Sequence, residues 1–431
     1  MNILLIGEGA REHIIAEHIA KDAKLFAVMS KKNPAIAKLS EDFYVCNTEN
    51  EREVKAWASG RRIDLAFVSP DAILAAGMSD ALISLGIQTV SPTKDVADIE
   101  CNKQFARELM EDHNIPGLVE YKLVENEADA LSAIKEFKSV AIKPIGLTGG
   151  KGVKVSGDHF DSEFDAMKYV KELLKKDGKL LIEEKLQGEE FTLQAFSDGT
   201  HLAFMPPVQD HKRAFEQDSG PNTGGMGSYS TGELLPFMNE KDLEKAKHTM
   251  KKTILALKKE RAEFKGVLYG QFMLTKDGPK VIEYNARFGD PEAINVLTLL
   301  KSSLVETFES IAEGRLKEVK FDNQSTVVKY LVPEGYPINP KKDAIVHLDE
   351  QKIKNCGARV YYASVYEKEE NIHTTGSRSF AVVSAEPKIS DAEKNSEKAL
   401  AFIEGPLFHR KDIGTKALLQ KRIDHMKEIR G

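Results

Sequence analysis

Glu283 and Asn285 stand two residues apart on a stretch that reads as the second strand of a hairpin, Leu268–Thr275 followed by Lys280–Tyr284. The link, Lys276-Asp277-Gly278, holds the Asp-Gly pair that marks tight hairpins. Side chains two apart on a strand share a face, so both oxygen donors point the same way. Donors of that type are what Mg²⁺ takes. Arg287 and Asp290 follow at the strand end, the edge where α/β proteins place ligands. On these residues alone, a hairpin with a solvated polar edge remains an open alternative.

Other chemistry-bearing groups recur through the middle of the chain. Lys143 closes a strand-like run, Ser139–Lys143, and is followed by Gly146-Leu-Thr-Gly-Gly-Lys-Gly152, a glycine-rich loop bearing the Lys151 cation. This is not a P-loop, because Gly152 stands where Ser or Thr is required. Leu180-Leu-Ile-Glu183-Glu184 runs into Glu189-Glu190, a buried strand leaving into acidic ground. Asp210-His-Lys-Arg213 and Gly220-Pro-Asn-Thr-Gly-Gly-Met-Gly227 read as one long loop with too many glycines for regular structure, and such loops are usually functional or disordered. A lone strand lysine is most often a surface ion-pair partner, and a glycine loop is often only a tight turn. Cations, amides, carboxylates and an oxygen pair in this order nevertheless make up a phosphate and metal site.

The elements that must position them fall into three regions. Residues 2–6 read as a buried strand, Gly7-Glu-Gly-Ala-Arg-Glu-His13 as a turn, and Ile14, Ile15 and Ile19 as one helix face. Glu12 takes the place of the third glycine of a dinucleotide fingerprint, although the loop amides could still hold a phosphate at a helix N-terminus. Strands at Leu25–Met29, Phe43–Cys46, Asp64–Val68 and Gln88–Val90, with helices such as Glu51–Ser59 and Gly77–Leu85 between, predict a parallel sheet covered on both faces. Ser69-Pro-Asp71 then lies at its carboxyl edge. A helix over Lys103–Asp112 leads to strands Val119–Leu123 and Ser139–Lys143, a hairpin of Phe191–Phe196 and His201–Met205, and an amphipathic helix over Lys241–Lys259. After about Thr326 come short strands (Val327–Val332, Ala344–Leu348, Arg359–Tyr366, Ser379–Ser384) and a helix opened by a capping box at Ser390-Asp-Ala-Glu393. The tail Gly414–Arg430 reads as a basic amphipathic helix with a solvated face.

Bulk properties exclude several classes. At 431 residues the chain holds more than one domain at about 100–200 residues each. A net charge of −6 with no basic domain argues against nucleic acid or membrane as partner. Cys46, Cys101 and Cys356 are scattered without metal-ligand spacing, which fits a reducing compartment. The N-terminus lacks a basic leader region, and no apolar run reaches the ~18 residues of a bilayer span. A cytoplasmic protein is expected.

Several strings together resemble the ATP-grasp ligases and, among them, the glycinamide ribonucleotide synthetase family. They are Gly-x-Gly-x-Arg-Glu-His at 7–13, Ile-Lys-Pro at 142–144, Gly-Lys-Gly-Val at 150–153, Gln209–Arg213, Gly220–Gly227, Arg287–Glu292 and Arg410-Lys-Asp-Ile-Gly414. The resemblance covers essentially the whole length. It implies an α/β and α+β multidomain chain: an N-terminal parallel-sheet domain (1–101), an ATP-grasp core (102–325) with a mobile lid near 120–188, and a C-terminal α+β cap (326–431). It implies ATP with Mg²⁺ or Mn²⁺, glycine and 5-phosphoribosylamine as substrates, and a monomer or homodimer.

By the same resemblance, Lys103, Lys143, Gly150 and Lys151 would contact ATP phosphates, Glu183 and the backbone of Leu186 the adenine, and Glu190 the ribose. Gln271, Glu283 and Asn285 would bind the metal. Arg287 would take the glycine carboxylate, and Lys212, Arg213 and Asp290 would join it at the reacting groups. Gly9, Arg11, Asp71, His211, Asn222 and Thr223 would surround the phosphoribosylamine. The chain departs from the family pattern at Ser69-Pro-Asp71 (usually Gly-Pro-Glu), at Gly9-Ala10 (usually Gly-Gly) and at Ala293-Ile294 (often Thr-Gln). The alternatives are a different ATP-grasp ligase, a nucleotide-binding regulator and a dinucleotide-dependent oxidoreductase; glycine-dependent ADP release, loss of the metal pair and NAD(P) binding would distinguish them.

Overall fold

The computed structural model describes residues 1–149 and 152–431; Gly150 and Lys151 lie outside the described residues. The first hundred residues build the predicted five-stranded parallel sheet, in spatial order Asp42–Val45, Lys24–Met29, Asn2–Ile6, Leu65–Val68, Gln88–Thr89. Residues 3–6 and 65–68 are almost wholly buried, as continuous apolar runs in a doubly covered sheet must be. The order reverses between Asn2–Ile6 and Leu65–Val68, so the loops leaving these two strands flank a switch point. Arg11 and Asp71 stand just beyond those loops.

Residues 121–184 form a separate small unit. Its four antiparallel strands, Tyr121–Val124, Leu180–Glu184, Val140–Pro144 and Lys154–Val155, carry helices Glu127–Phe137 and Glu163–Asp177. Val124, Ile134, Val140, Ile142, Val170, Leu180 and Ile182 make a core of its own, apart from the main one. Next comes an antiparallel sheet ordered Leu202–Phe204, Glu189–Asp198, Lys265–Thr275, Gly278–Asn285. The helix Glu240–Glu260 buries Ala246, Met250, Ile254 and Leu257 beside it, and Thr253 meets the Tyr284 hydroxyl at 2.7 Å.

The stretch expected to be one loop contains short strands instead. Arg213–Phe215 pairs with Ser219–Asn222, and Gln209–Asp210 pairs with Gly227–Ser230. Gly227–Ser230 continues onto Ser325–Pro333, followed by Phe380–Glu386 and Ala358–Tyr362. The glycine-rich segment is therefore mounted on the C-terminal sheet. Glycine is needed there: a Cβ on Gly227 would stand 2.3 Å from the Val328 carbonyl.

Three local readings change. Arg359–Tyr366 divides into Ala358–Tyr362 and Val365–Lys368. The helix near Ser390 runs Ile389–Leu400 from Lys388, with no side-chain cap; Glu393 turns instead to the fully buried Lys329 ammonium, 2.7 Å away. The tail helix, Lys416–Arg430, is amphipathic with a solvated face, as expected, but not all of its basic residues lie on that face. It buries Leu418, Leu419 and Met426, and pairs Arg422 with Asp218 and Arg430 with Asp242.

Candidate active site

One cavity of about 650 Å³ lies where these parts meet. Its floor is the hairpin Lys265–Thr275/Gly278–Asn285, in which Gln271 is directly opposite Glu283. A bulge follows, and the register then passes from Glu283 to Val281. The Ile282 carbonyl accepts from Arg107 Nη2 at 2.7 Å and from Lys143 Nζ at 3.2 Å. Extra residues of this kind re-aim neighbouring side chains.

Oxygen donors collect on the floor. Burial alone would raise the Glu283 pKa, but Lys212, Lys143, Lys103 and Arg287 outweigh it and hold the group below the usual carboxylate value. With its amide nitrogen turned toward Glu100 Oε1, at 2.9 Å, Asn285 keeps its oxygen as the free acceptor. Gln271 donates through Nε2 to Glu190 at 2.8 Å, while its buried Oε1 has no hydrogen-bond partner among the described residues. A buried acceptor left unpaired is costly, and a cation between it and Glu283 would remove the cost. One carboxylate and two amide oxygens therefore fit a hard divalent cation. Among the described residues, no cluster of three His, Cys, Asp or Glu side chains offers another metal centre.

Cations form the wall. Lys143 pairs with Glu183 at 2.6 Å, and Arg107 grips the same carboxylate at 2.8 and 3.1 Å. Burial pushes the Glu183 pKa up, yet Arg107 and Lys143 pull it down to about 2. Both Glu183 oxygens are thus engaged by protein. Lys103 opens the helix Lys103–Asp112 and donates to the Gly146 carbonyl at 2.8 Å. Burial lowers its pKa despite the nearby Glu283. Lys212 lies among Glu190, Glu283, Asp210 and Glu292, which overcome burial and raise its pKa.

Arg287 ion-pairs with Glu100 at 2.9 Å and donates to the Phe288 carbonyl at 3.1 Å, while its buried Nε has no partner among the described residues. Asp290 accepts from the Tyr330 hydroxyl at 2.6 Å and pairs with Arg378 at 3.1 Å. Arg213 donates to the Gly220 carbonyl at 2.9 Å and pairs with Asp158 at 3.1 Å. Thr223 Oγ1 donates to the Lys212 carbonyl at 2.8 Å, which closes the turn that presents Lys212. His211 is 2% exposed with both ring nitrogens unpartnered among the described residues, and burial lowers its pKa to about 3.

The cavity is lined by Arg11, Asp71, Lys103, Lys143, Glu183, Leu186, Glu190, His211, Lys212, Arg213, Asn222, Thr223, Gln271, Glu283, Asn285, Arg287 and Asp290. These are all the sequence-predicted residues except Gly9 and the two outside the described set. Gly9 does not line it, although a Cβ there would stand 3.9 Å from Asp290 Oδ2. Its amide is taken by Glu12 Oε2 at 2.6 Å, and Ser69 Oγ meets the other oxygen at 2.5 Å. Glu12 thus puts its own carboxylate at the helix N-terminus, where a dinucleotide fold would seat a phosphate. Ala293 and Ile294 are wholly buried rather than facing the cavity.

Sequence reasoning missed Glu100, Asp210, Glu292, Arg378 and Arg422, which also line the cavity. Asp210 and Glu292 are buried near one another: burial first, then their mutual repulsion, raises the Asp210 pKa well above its ordinary value, and burial raises that of Glu292. Both stood inside the strings given above, Asp210 beside His211 and Glu292 two residues after Asp290.

Family descriptions cover the same parts of the chain. Residues 1–100 match the phosphoribosylglycinamide synthetase N domain, 101–293 its ATP-grasp (A) domain and 326–416 its C domain. The chain belongs to the phosphoribosylglycinamide synthetase family. The phosphoribosylamine–glycine ligase of Methanosarcina barkeri is 52% identical over 439 aligned positions, covering all of both chains. That of Pyrococcus furiosus is 47% identical, covering 100% of this chain and 98% of the other. The crystal structure of phosphoribosylamine–glycine ligase from Thermotoga maritima superposes with a TM-score of 0.82 at 25% identity, covering 96% of this chain and all of that one. Biotin carboxylase from Campylobacter jejuni shares the fold, with a TM-score of 0.75 at 14% identity over 99% and 95% of the two chains. In this synthetase the sheet switch point, the hairpin floor and the glycine-rich segment all open into one cavity.

Proposed function

We propose that the chain ligates glycine to 5-phosphoribosylamine through a glycyl phosphate, with the hairpin Lys265–Thr275/Gly278–Asn285 as the floor of the phosphoryl-transfer site. The overall reaction, giving glycinamide ribonucleotide, ADP and phosphate in purine biosynthesis, is the activity of the family to which the chain belongs. The observation that carries the finer reading is the geometry of the floor: Glu283, the unpaired Oε1 of Gln271 and the Asn285 oxygen lie beneath Lys103, Lys143 and Lys212.

A carboxylate is a poor electrophile, and transfer of a phosphoryl group to it creates a leaving group. When bound, Mg²⁺ or Mn²⁺ would neutralise charge on the transferring phosphates; Gln271, Glu283 and Asn285 would hold it. Lys103, Lys143 and Lys151 would hold the phosphates themselves, with the Gly150 amide beside them. Glu183, expected from the resemblance to meet the adenine, has both oxygens taken by Arg107 and Lys143 and would instead fix the Lys143 ammonium, while Leu186 and Glu190 would receive adenosine. Arg287 would orient the glycine carboxylate through its free Nε edge. The second substrate would enter from the switch point, between Arg11 and Asp71 on one side and His211, Lys212, Arg213, Asn222 and Thr223 on the other. Asp290 would stand between the two. The amine then displaces phosphate from the acyl carbon; positioning and fixed charge supply most of the effect.

An acyl phosphate hydrolyses in water, so the site must close. The unit with its own core, residues 121–184, is the part that would move, which makes about 120–188 the lid of a 102–325 core between a 1–101 domain and a 326–431 cap. The same reading places the enzyme in the cytoplasm as a monomer or homodimer. Among the described residues, no helix is long and apolar enough to cross a membrane.

The test is ADP release with ATP, Mg²⁺, phosphoribosylamine and a panel of amino acids. The expected result is turnover with glycine alone. Turnover with another amino acid, or none dependent on glycine, contradicts the reading.

A further inference from the structure

Arg410, in the string at 410–414 that the reaction leaves unused, is 1% exposed and has its guanidinium engaged on all sides. Nε and Nη2 donate to Asp412 at 2.9 and 2.7 Å. Nη1 donates to Asp218 Oδ1 and to the Arg213 carbonyl, each at 3.1 Å. Asp412 in turn accepts from the Gln217 amide at 3.0 Å. From the tail helix, Arg422 Nη2 donates to the other Asp218 oxygen at 2.5 Å, and its Nε faces Glu189 at 3.4 Å. Glu189 also pairs with His425 at 2.6 Å and accepts from Gln209 at 3.2 Å.

These contacts converge on a turn whose own bonds, from the Ser219 amide and hydroxyl to the Glu216 carbonyl, leave Gln217 and Asp218 to be fixed from outside. Gln217 and Asp218 sit at φ 61° and 59°, in the left-handed region. Residues with a Cβ stay there only when the surroundings over-determine them. Here the surroundings are Arg410, Asp412 and Arg422, all from the last part of the chain. The turn closes the hairpin of Arg213–Phe215 and Ser219–Asn222, whose two strands carry Arg213 and Asn222. Glu189 begins the strand that carries Glu190 and is anchored independently by ten paired positions with Lys265–Thr275.

We propose that Arg410 and Arg422 are positioning residues for the amine substrate: they clamp the turn at Gln217-Asp218 so that Lys212, Arg213 and Asn222 face the cavity at a fixed distance from the Glu190 strand. The proposal rests on the reading that this hairpin receives phosphoribosylamine. Releasing the clamp displaces the hairpin, while the sheet that holds nucleotide and metal keeps its own pairing. The deficit should therefore fall on one substrate.

The experiment is steady-state kinetics of the full-length enzyme with Arg422→Gln and, separately, Arg410→Lys, each with its thermal midpoint. Loss of hydrogen bonds to charged groups predicts a rise of about tenfold or more in KM for phosphoribosylamine, with KM for ATP within about twofold of wild type. Asp218→Asn added to Arg422→Gln should cost less than the sum of the two single changes, because both break one contact. A purely structural role moves the thermal midpoint without splitting the KM values, and that result overturns the clamp. Lys212→Ala separates the two layers. If it raises KM for phosphoribosylamine and neither arginine variant does, the clamp is refuted and the site stands; if none of the three does, the assignment of the hairpin itself falls.

Discussion

At the scale of single residues, the account turns on charge that has nowhere else to go. Among the described residues Glu283 makes no ion pair of its own, and four cations hold it ionised. Glu283→Ala should leave the circular dichroism spectrum and thermal midpoint near wild type and lower turnover by at least about 10²-fold, the scale for removing a group that stabilises transition-state charge. An active variant would mean the metal lies elsewhere. Glu183 has the opposite character, being saturated by Arg107 and Lys143. Its pKa is about 2 against an ordinary 4.5, so its stabilisation is complete above about pH 4.5 and is lost as pH falls toward 2. Glu183→Gln should cost about 3–5 kcal/mol at neutral pH, and urea unfolding should show the gap to wild type narrowing through that window. A gap independent of pH contradicts the ion-pair account. Glu283 and Asn285 were legible because a period of two fixes a shared face; Gln271 came from the family resemblance alone, and its place opposite Glu283 is a matter of register. Glu100 and Arg378 were not legible, because they reach the cavity from segments whose local pattern carries no trace of it. Asp210 and Glu292 were visible but unassigned, since only their burial near each other marks them out.

At the scale of elements, the periodic segments were the readable ones. Glu51–Ser59 and Lys103–Asp112 begin and end as expected, each with an Asn cap accepting from the first turn. The glycine-rich stretch at 210–227 was misread, because its strands are only two to four residues long and the last of them, Gly227–Ser230, is fixed by pairing with Ser325–Pro333, about a hundred residues on. The tail helix was legible as amphipathic, but the partners of Arg422 and Arg430, which are Asp218, Glu189 and Asp242, were not, being distant in sequence. The junction between the 121–184 unit and the floor depends on close backbone approach. A Cβ on Gly188 would stand 1.9 Å from the Leu274 carbonyl. Gly188→Ala should destabilise the protein by about 1–3 kcal/mol, the usual cost of overpacking, read as a lower denaturation midpoint with an unchanged slope. A neutral effect would show that the two strands separate more freely than this contact implies.

At the scale of the whole molecule, the site is shared between regions that do not stand alone. The switch point supplies Arg11 and Asp71, the floor supplies the oxygen donors, and the C-terminal sheet carries the glycine-rich segment on its edge. Residues 326–431 expressed alone would lose the Gly227–Ser230 partner of their central strand and expose a bare sheet edge. That fragment should aggregate or show no cooperative unfolding; a soluble, cooperatively folding fragment would show that the shared sheet is dispensable. The central proposal is that ATP activates glycine as an acyl phosphate on the hairpin floor before the amine attacks. Glycine labelled with ¹⁸O in its carboxylate, turned over with ATP and phosphoribosylamine, tests it most directly by mass spectrometry of the phosphate released. The account predicts one labelled oxygen in each inorganic phosphate; phosphate carrying no label would contradict it.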